Sequence, residues 1–320
     1  MRIGIDIGGT KILVGVVDET GSIIHKIKIP TDAKNGYVCV RDDIVNTVDN
    51  ALKDCGLHKK DVERIGIASA GQIDKKTHNI VFSPNLGWHN VPLKQDFEKI
   101  FGIKTFIEND VNAATYGEWK FGLNSVPDDV VGIFVGTGIG GGLIINRKLY
   151  RGYTNVGGEL GHITVNPYGY KCNCGNNGCF EAYCGGLYIT GRVQEKIKSG
   201  YRGRIWDIIG GNVDILQTGH IEEACLSGDE FCVYAWREVI EYMGAAMASI
   251  ANLINPEVII LGGGVVYGTR YFVDDIRDVM EKRAMPASIR GLKIEKAILG
   301  EDSAIMGAVF TEAESVTMQF

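Results

Sequence analysis

The sequence lacks long hydrophobic runs. No stretch approaches the ~18 uninterrupted apolar residues of a membrane-crossing helix, so no membrane span or membrane partner is expected. It also lacks a basic excess. The 33 Lys and Arg against 39 Asp and Glu leave a net charge of −6, which argues against nucleic-acid binding. The start, Met1-Arg2-Ile3-Gly4-Ile5-Asp6, turns polar within a few residues and has no signal-peptide pattern, so no export is expected. Disorder and fibre formation are excluded by composition, which is globular at 45 % hydrophobic and 22 % charged. A chain of 320 residues is long enough for two domains with real cores. Eight cysteines without an export signal imply reduced thiols and a cytoplasmic location. Cys39, Cys55, Cys184, Cys225 and Cys232 have no ligand-like spacing and read as small buried thiols.

The other three cysteines share a segment with a histidine. His162 is followed by nine residues and then by Cys172, Cys174 and Cys179. Thiolates and imidazole are the ligands of closed tetrahedral zinc sites. Gly175 and Gly178 sit where such a knuckle must turn with positive φ. Cys172 and Cys174 are too close in sequence to bridge each other easily. The alternative is three ordinary thiols and a core histidine. A zinc here is expected to be structural, since four protein ligands leave no open position. Its expected task is to hold Glu159 and Glu181 in fixed directions.

In chain order, residues 2–30 read as strand, glycine turn, strand, turn, strand, an antiparallel meander. Asp6 lies within the first apolar run, where a lone carboxylate is costly unless paired. Gly8-Gly9-Thr10-Lys11 follows at once. Its backbone N–H groups and hydroxyl suit phosphates, and Asp6 suits a water-bound Mg²⁺. A plain hairpin with an incidental aspartate is the alternative. Residues 40–55 carry helical spacing, and residues 63–71 read as a strand. Residues 79–93 read as turn-rich, with Asn85 placed to offer its amide to a polyol or merely to satisfy its own backbone. A helix over 93–101 and a strand over 103–109 lead to Asn109-Asp110, at the start of a further helix. An aspartate there is either an N-cap or a strand-end catalytic carboxylate.

The polar stretch 124–129 reads as a connection between halves. Gly136, Thr137, Gly138 and Gly141 match the spacing G-x-G-x-x-G. A dinucleotide fingerprint would need a helix next. Here an apolar, β-branched run follows, so the pattern is strand, glycine turn, strand. It repeats the pattern of residues 2–17 weakly, as two halves that would clamp one nucleotide. Downstream, residues 187–197 and most of 211–254 read as helical. A short buried strand ends in Gly262-Gly263-Gly264, a turn suited to a flat ring or ribose. A helix over 272–284, a strand over 292–299 and a last helix complete the chain.

Asp6-Ile7-Gly8-Gly9-Thr10-Lys11, Glu108-Asn109-Asp110, Gly136 to Gly142, Gly158-Glu159-Leu160-Gly161-His162 and the cysteine knuckle occur in this order. Together they resemble the ROK family (repressors, open reading frames, sugar kinases) of the actin-like ATPase superfamily, over nearly the whole chain. The resemblance implies an α/β fold of two duplicated actin-like, ribonuclease H-like domains flanking a nucleotide and sugar cleft, with a small zinc knuckle. The implied domains are 1–117 and 118–302, the second carrying the zinc segment 162–181. The final helix, 303–315, would pack back on the first domain.

The same resemblance implies ATP, Mg²⁺ and structural Zn²⁺, and a homodimer or dimer of dimers. Asp110 would be the general base for the sugar's 6-hydroxyl. Asn85, Asn109, Glu159, His162 and Glu181 would bind the other hydroxyls. His162 would use one ring nitrogen for zinc and the other for sugar. Asp6, Gly8, Gly9, Thr10 and Lys11 on one side, and Gly136, Thr137 and Gly138 on the other, would serve the nucleotide phosphates. Gly263 and Gly264 would border the nucleoside. The metal ligands would be His162, Cys172, Cys174 and Cys179.

The implied reaction is ATP-dependent phosphorylation of a hexose, with glucose leading. Asn85-Leu86-Gly87-Trp88 and the Gly158–His162 motif fit glucokinases. Many of those carry alanine where Gly157 stands. Glu181-Ala182-Tyr183-Cys184-Gly185-Gly186 departs from the common family pattern and is closer to an N-acetylmannosamine kinase branch. Sugar-responsive repressors of the family carry a helix-turn-helix ahead of the first strand. With a strand beginning at residue 2, no DNA reader is expected. A non-catalytic sugar binder is disfavoured by Asp110 together with two phosphate turns.

Overall fold

Ile3, Ile5 and Ile7 are fully buried and alternate with Gly4 and Asp6, the period-two pattern of a strand. They form β1 (Arg2–Ile7) in the computed structural model, which describes residues 1–270 and 272–311. β1 pairs antiparallel with β2 (Lys11–Val17), and β2 with β3 (Ile23–Pro30), giving the expected meander. Helix α1 (Gly36–Asp54) buries Val40, Ile44, Val48, Ala51 and Leu52 along one face. β4 (Arg64–Ser69) then lies parallel to β1.

The next stretch is more ordered than its turn residues imply. β5 (Gln72–Ile73), β6 (Ile80–Ser83) and β7 (Trp88–Val91) make a small antiparallel sheet. Strands of two to four residues are too short to show an alternating pattern. They are held because Ile73, Ile80, Leu86, Trp88 and Val91 join the main core cluster. Helix α2 (Leu93–Phe101) leads to β8 (Thr105–Asn109), parallel to β4. Helix α3 (Asp110–Gly117) follows and ends in one wider π-helical turn, Glu118–Gly122. The resulting sheet has the order β3-β2-β1-β4-β8.

The second half repeats that order. β9 (Val130–Val135), β10 (Ile139–Ile145) and β11 (Lys148–Tyr150) come first. Helices α4 (Phe180–Cys184), α5 (Gly186–Lys198), α6 (Arg204–Ile208), α7 (Thr218–Leu226) and α8 (Glu230–Ile254) follow. β12 (Val258–Gly262) lies parallel to β9. After α9 (Gly264–Tyr267) and α10 (Phe272–Arg283), β13 (Lys293–Lys296) lies parallel to β12. The sheet order is β11-β10-β9-β12-β13. Each sheet is thus a meander extended by two parallel strands, so the faint sequence repeat corresponds to a duplicated topology.

The chain forms two compact units. One holds Met1–Asp128, Gly142–Gly158 and the described residues from Ile298 onward; the other holds Asp129–Gly141 and Glu159–Ala297. The last described helix, α11 (Ser303–Phe310), belongs to the first unit. Residues 312–315 of the expected 303–315 helix lie outside the described residues. Ile305, Met306 and Val309 of α11 cluster with Leu13 and Val17 of β2. The approach is close enough that a Cβ on Gly307 would overlap the Ala113 carbonyl of α3, and one on Gly66 the Ala308 carbonyl.

Candidate active site

In the first unit, the turn between β1 and β2 is pinned from both sides. The Gly8 N–H donates to the Lys11 carbonyl (3.0 Å), Thr31 N–H to the Thr10 carbonyl (2.9 Å), and Thr31 Oγ1 to the Gly8 carbonyl (2.7 Å). Gly9 leaves room for Asn85, whose Cβ would stand only 3.0 Å from a Cβ placed at Gly9. The turn between β6 and β7 therefore carries Asn85 to the first glycine turn. Lys11 Nζ donates to Glu301 Oε2 at 2.9 Å, and Lys28 Nζ to the same oxygen at 3.0 Å. These bonds, Lys11 first, pull the Glu301 carboxyl down to about 2.

Asp6, at the end of β1, titrates at about 7. Burial is the main cause, the charge of Asp110 adds to it, and Lys11 opposes it. Two carboxylates from β1 and α3 thus come close enough to repel each other.

At the head of α3, the cap is Asn109. Its Oδ1 accepts from the N–H groups of Val111 (3.0 Å) and Asn112 (3.1 Å). Its Nδ2 donates to Asp110 Oδ1 at 3.0 Å, and that oxygen also accepts from Val111 N–H at 3.0 Å. The sequence left open whether Asp110 was the cap. With Asn109 in that role, Asp110 is the first helical residue, its carboxylate steered by its neighbour.

Behind this pair lies a brace that sequence reasoning missed. Glu108 is 5 % exposed, and its Oε2 accepts from Arg151 Nε at 2.6 Å. Its Oε1 accepts from Asn109 N–H (3.1 Å) and Asn112 Nδ2 (3.2 Å). A carboxylate in a buried strand demands a partner, which was the available signal. Nothing local pointed to an arginine 43 positions away.

In the second unit, the turn from β9 to β10 is laced to the start of α5. Gly186 N–H donates to the Gly136 carbonyl (2.9 Å) and Leu187 N–H to the Thr137 carbonyl (3.0 Å). Glu181 of α4 reaches the same turn, its Oε2 accepting from Ile139 N–H at 2.8 Å. A Cβ on Gly138 would overlap that carboxylate. Glu159 and His162 flank Gly161, and a Cβ on Gly161 would overlap the Ile139 carbonyl. Glu181 and the Gly161 backbone, in the segment that carries Glu159 and His162, therefore both meet the start of β10. Gly263 turns at φ +91° against the Val135 carbonyl, between β12 and α9.

The expected metal ligands also meet. The ligand atoms of His162, Cys172, Cys174 and Cys179 lie within 4.8 Å of one another. Cys174 Sγ and Cys179 Sγ are 3.6 Å apart, and Cys172 Sγ is 3.8 Å from His162 Nδ1. A disulfide would need ~2.05 Å. A tetrahedral ion with metal–sulfur bonds of ~2.3 Å spaces its sulfurs by roughly 3.8 Å, so the donor set fits zinc. Gly175 and Gly178 turn the knuckle at φ +95° and +72°. Cys172 Sγ lies 3.8 Å from Glu181 Oε1, and Tyr188 Oη lies 3.7 Å from the same sulfur. Glu181 thus touches both the knuckle and the glycine turn. Of the remaining thiols, Cys184 and Cys232 are buried as expected, whereas Cys39, Cys55 and Cys225 are half-buried.

Two sheets of one order, each with a glycine turn after its leading strand, define a duplicated α/β class. The ROK family model matches residues 2–313. A glucokinase of Thermotoga maritima is 33 % identical, over 96 % of this chain and 95 % of its own. A xylose repressor of Caldicellulosiruptor bescii is 31 % identical over 96 % of this chain and 76 % of the repressor. A ROK family glucokinase from Streptomyces griseus, solved in complex with glucose and AMPPNP, is 36 % identical with a TM-score of 0.82. That match covers 96 % of this chain and 97 % of the solved one. The chain belongs to the ROK family.

Proposed function

We propose that the protein is an ATP-dependent hexose kinase that phosphorylates the 6-hydroxyl of glucose. The observation that carries this reading is the division of labour at the head of α3, where Asn109 caps the helix and orients Asp110. Likeness to glucokinases of Thermotoga maritima and Streptomyces griseus supports it.

In this reading Asp110 accepts the proton of the 6-hydroxyl as that oxygen attacks the γ-phosphorus and the bond to ADP breaks. Phosphoryl transfer is mainly a matter of positioning and charge stabilisation. The turn from Gly8 to Lys11, with Thr10, and the turn from Gly136 to Gly138, with Thr137, offer backbone N–H groups and hydroxyls to phosphates. Gly263 and Gly264 border the nucleoside. Asn85, Asn109, Glu159, His162 and Glu181 read the remaining hydroxyls, and a sugar that leaves one of them unpaired is penalised. Asp6 would hold Mg²⁺, which supplies neutralising charge on the phosphates when bound. A buried carboxyl lifted to about 7 beside a second carboxylate fits a dication site. A zinc ion on His162, Cys172, Cys174 and Cys179 is structural and fixes the directions of Glu181 and of the His162 ring. The protein is proposed to assemble as a homodimer or dimer of dimers, which light scattering checks.

A coupled assay of ADP release against a panel of hexoses and acetylhexosamines is the direct test. Turnover highest on glucose is expected. Glucose binding without ADP release on any sugar would sink the kinase reading. The segment from Glu181 to Gly186 favours a second reading, an N-acetylmannosamine kinase, which the same panel separates.

A further inference from the structure

A cavity of about 520 Å³ in the first unit opens beside Arg2 and Arg64, the leading residues of β1 and β4. The candidate site lies after the last residues of those parallel strands. Among the described residues, six cations line the cavity, Arg2, Arg64, Lys120, Arg147, Lys148 and Arg151, with one carboxylate, Glu19. In a chain of net charge −6 this is a local reversal of sign.

The carboxylates that meet Arg2, Arg64, Arg147 and Arg151 leave guanidinium donors over. Glu63 is shared by Arg2 (3.1 Å) and Arg64 (2.8 Å). Asp128 meets Arg147 at 3.0 Å, and Glu108 meets Arg151. A guanidinium has five N–H donors, so one carboxylate leaves others for a second anion. The cations are also held on ring faces. The Arg2 guanidinium lies 4.3 Å from the Phe310 ring centre, Lys120 Nζ 4.9 Å from the same ring, and the Arg147 guanidinium 6.0 Å from Trp119. Fixed cations beside flat apolar rings suit a phosphate carried on a ring.

We propose that this cavity is a binding site for a small phosphate-bearing molecule with a sugar or base ring, separate from the two glycine turns. Arg2, Arg147 and Lys148 take the phosphate, and Phe310 takes the ring. The site has two physical links to Asp110. Trp119 and Lys120 extend the helix that Asp110 begins. Arg151 holds Glu108, which accepts the Asn109 N–H. Occupancy therefore bears on how the Asn109–Asp110 pair is held. This link to turnover rests on the role proposed for Asp110; the binding does not.

The test is calorimetric titration with a hexose 6-phosphate and, separately, a nucleoside monophosphate. Glucose and a non-hydrolysable ATP analogue are kept saturating, so that the proposed kinase site is filled. One saturable equivalent of at least one probe is expected, and which probe binds tells sugar ring from base. Arg147→Gln with Lys148→Glu should weaken that binding at least tenfold, while the thermal midpoint and the basal rate of ADP release stay close to wild type. Because the Arg147 guanidinium lies over Trp119, binding should change tryptophan fluorescence, and Trp119→Phe should remove that change. No saturable binding of either probe, or binding that the double variant leaves unaltered, overturns the proposal. Such a result alongside normal ADP release would leave the kinase reading standing.

Discussion

Asn109 takes one task at the head of α3 and, in the proposed reaction, Asp110 takes another. A helix head needs an acceptor for its unpaired N–H groups, and Asn109 supplies it. Asp110→Asn should therefore keep the helix and bind glucose within a few-fold of wild type. Its kcat should fall by about 10²–10⁴, the range general-base catalysis contributes; steady-state kinetics with a glucose-binding titration checks both halves. A second expectation concerns Asp6, whose folded-state value of about 7 lies above its ordinary 3.8. The folded chain then holds a proton that the unfolded chain has released. Stability from this group is complete below about pH 4 and is lost as pH rises towards 7. Denaturation of wild type and Asp6→Asn across that window should show wild type losing ground steadily with pH, and a constant difference would refute the assignment.

Among the elements, α11 and the knuckle each depend on a close approach. In an exposed helix Gly→Ala gains about 1 kcal/mol. At Gly307 the new Cβ would meet the Ala113 backbone carbonyl, and backbone cannot swing aside. Overpacking costs about 1–3 kcal/mol and should win, so Gly307→Ala is expected to lower the urea midpoint. Because Ala113 belongs to the helix headed by Asp110, kcat should fall with it. For the knuckle, the expected zinc content is one ion per chain, measured by atomic absorption. Cys179→Ser should abolish it. Glu181 touches both Cys172 and the glycine turn, so that variant should also lose about 10–100-fold in activity, as disturbed metal surroundings commonly do.

At the level of the whole molecule, ligands that bind the native chain alone must stabilise it. Glucose and a non-hydrolysable ATP analogue, each at 100 times its Kd, should add about 2.7 kcal/mol; a thermal midpoint that neither moves would count against the proposed reaction. Much of this was legible without coordinates. The meanders, the glycine turns at Gly8 and Gly136, the strand after Gly141 and the convergence of His162 with three cysteines follow from local patterns, because turns, strand period and metal-ligand spacing are written within a few residues. The small sheet from Gln72 to Val91 was not legible, since strands so short are fixed by the core they cover rather than by their own pattern. Nor was the Glu108–Arg151 brace, or the cavity whose cations come from residues 2, 64, 120, 147, 148 and 151. The sequence by itself determined where the glycine turns, the strand-end carboxylates and the thiol-rich knuckle stand. Only the tertiary structure decided that Asn109 rather than Asp110 caps the helix and that Glu181 joins knuckle to turn, because the first depends on the backbone angle at which β8 enters α3 and the second on segments brought together from 42 positions apart.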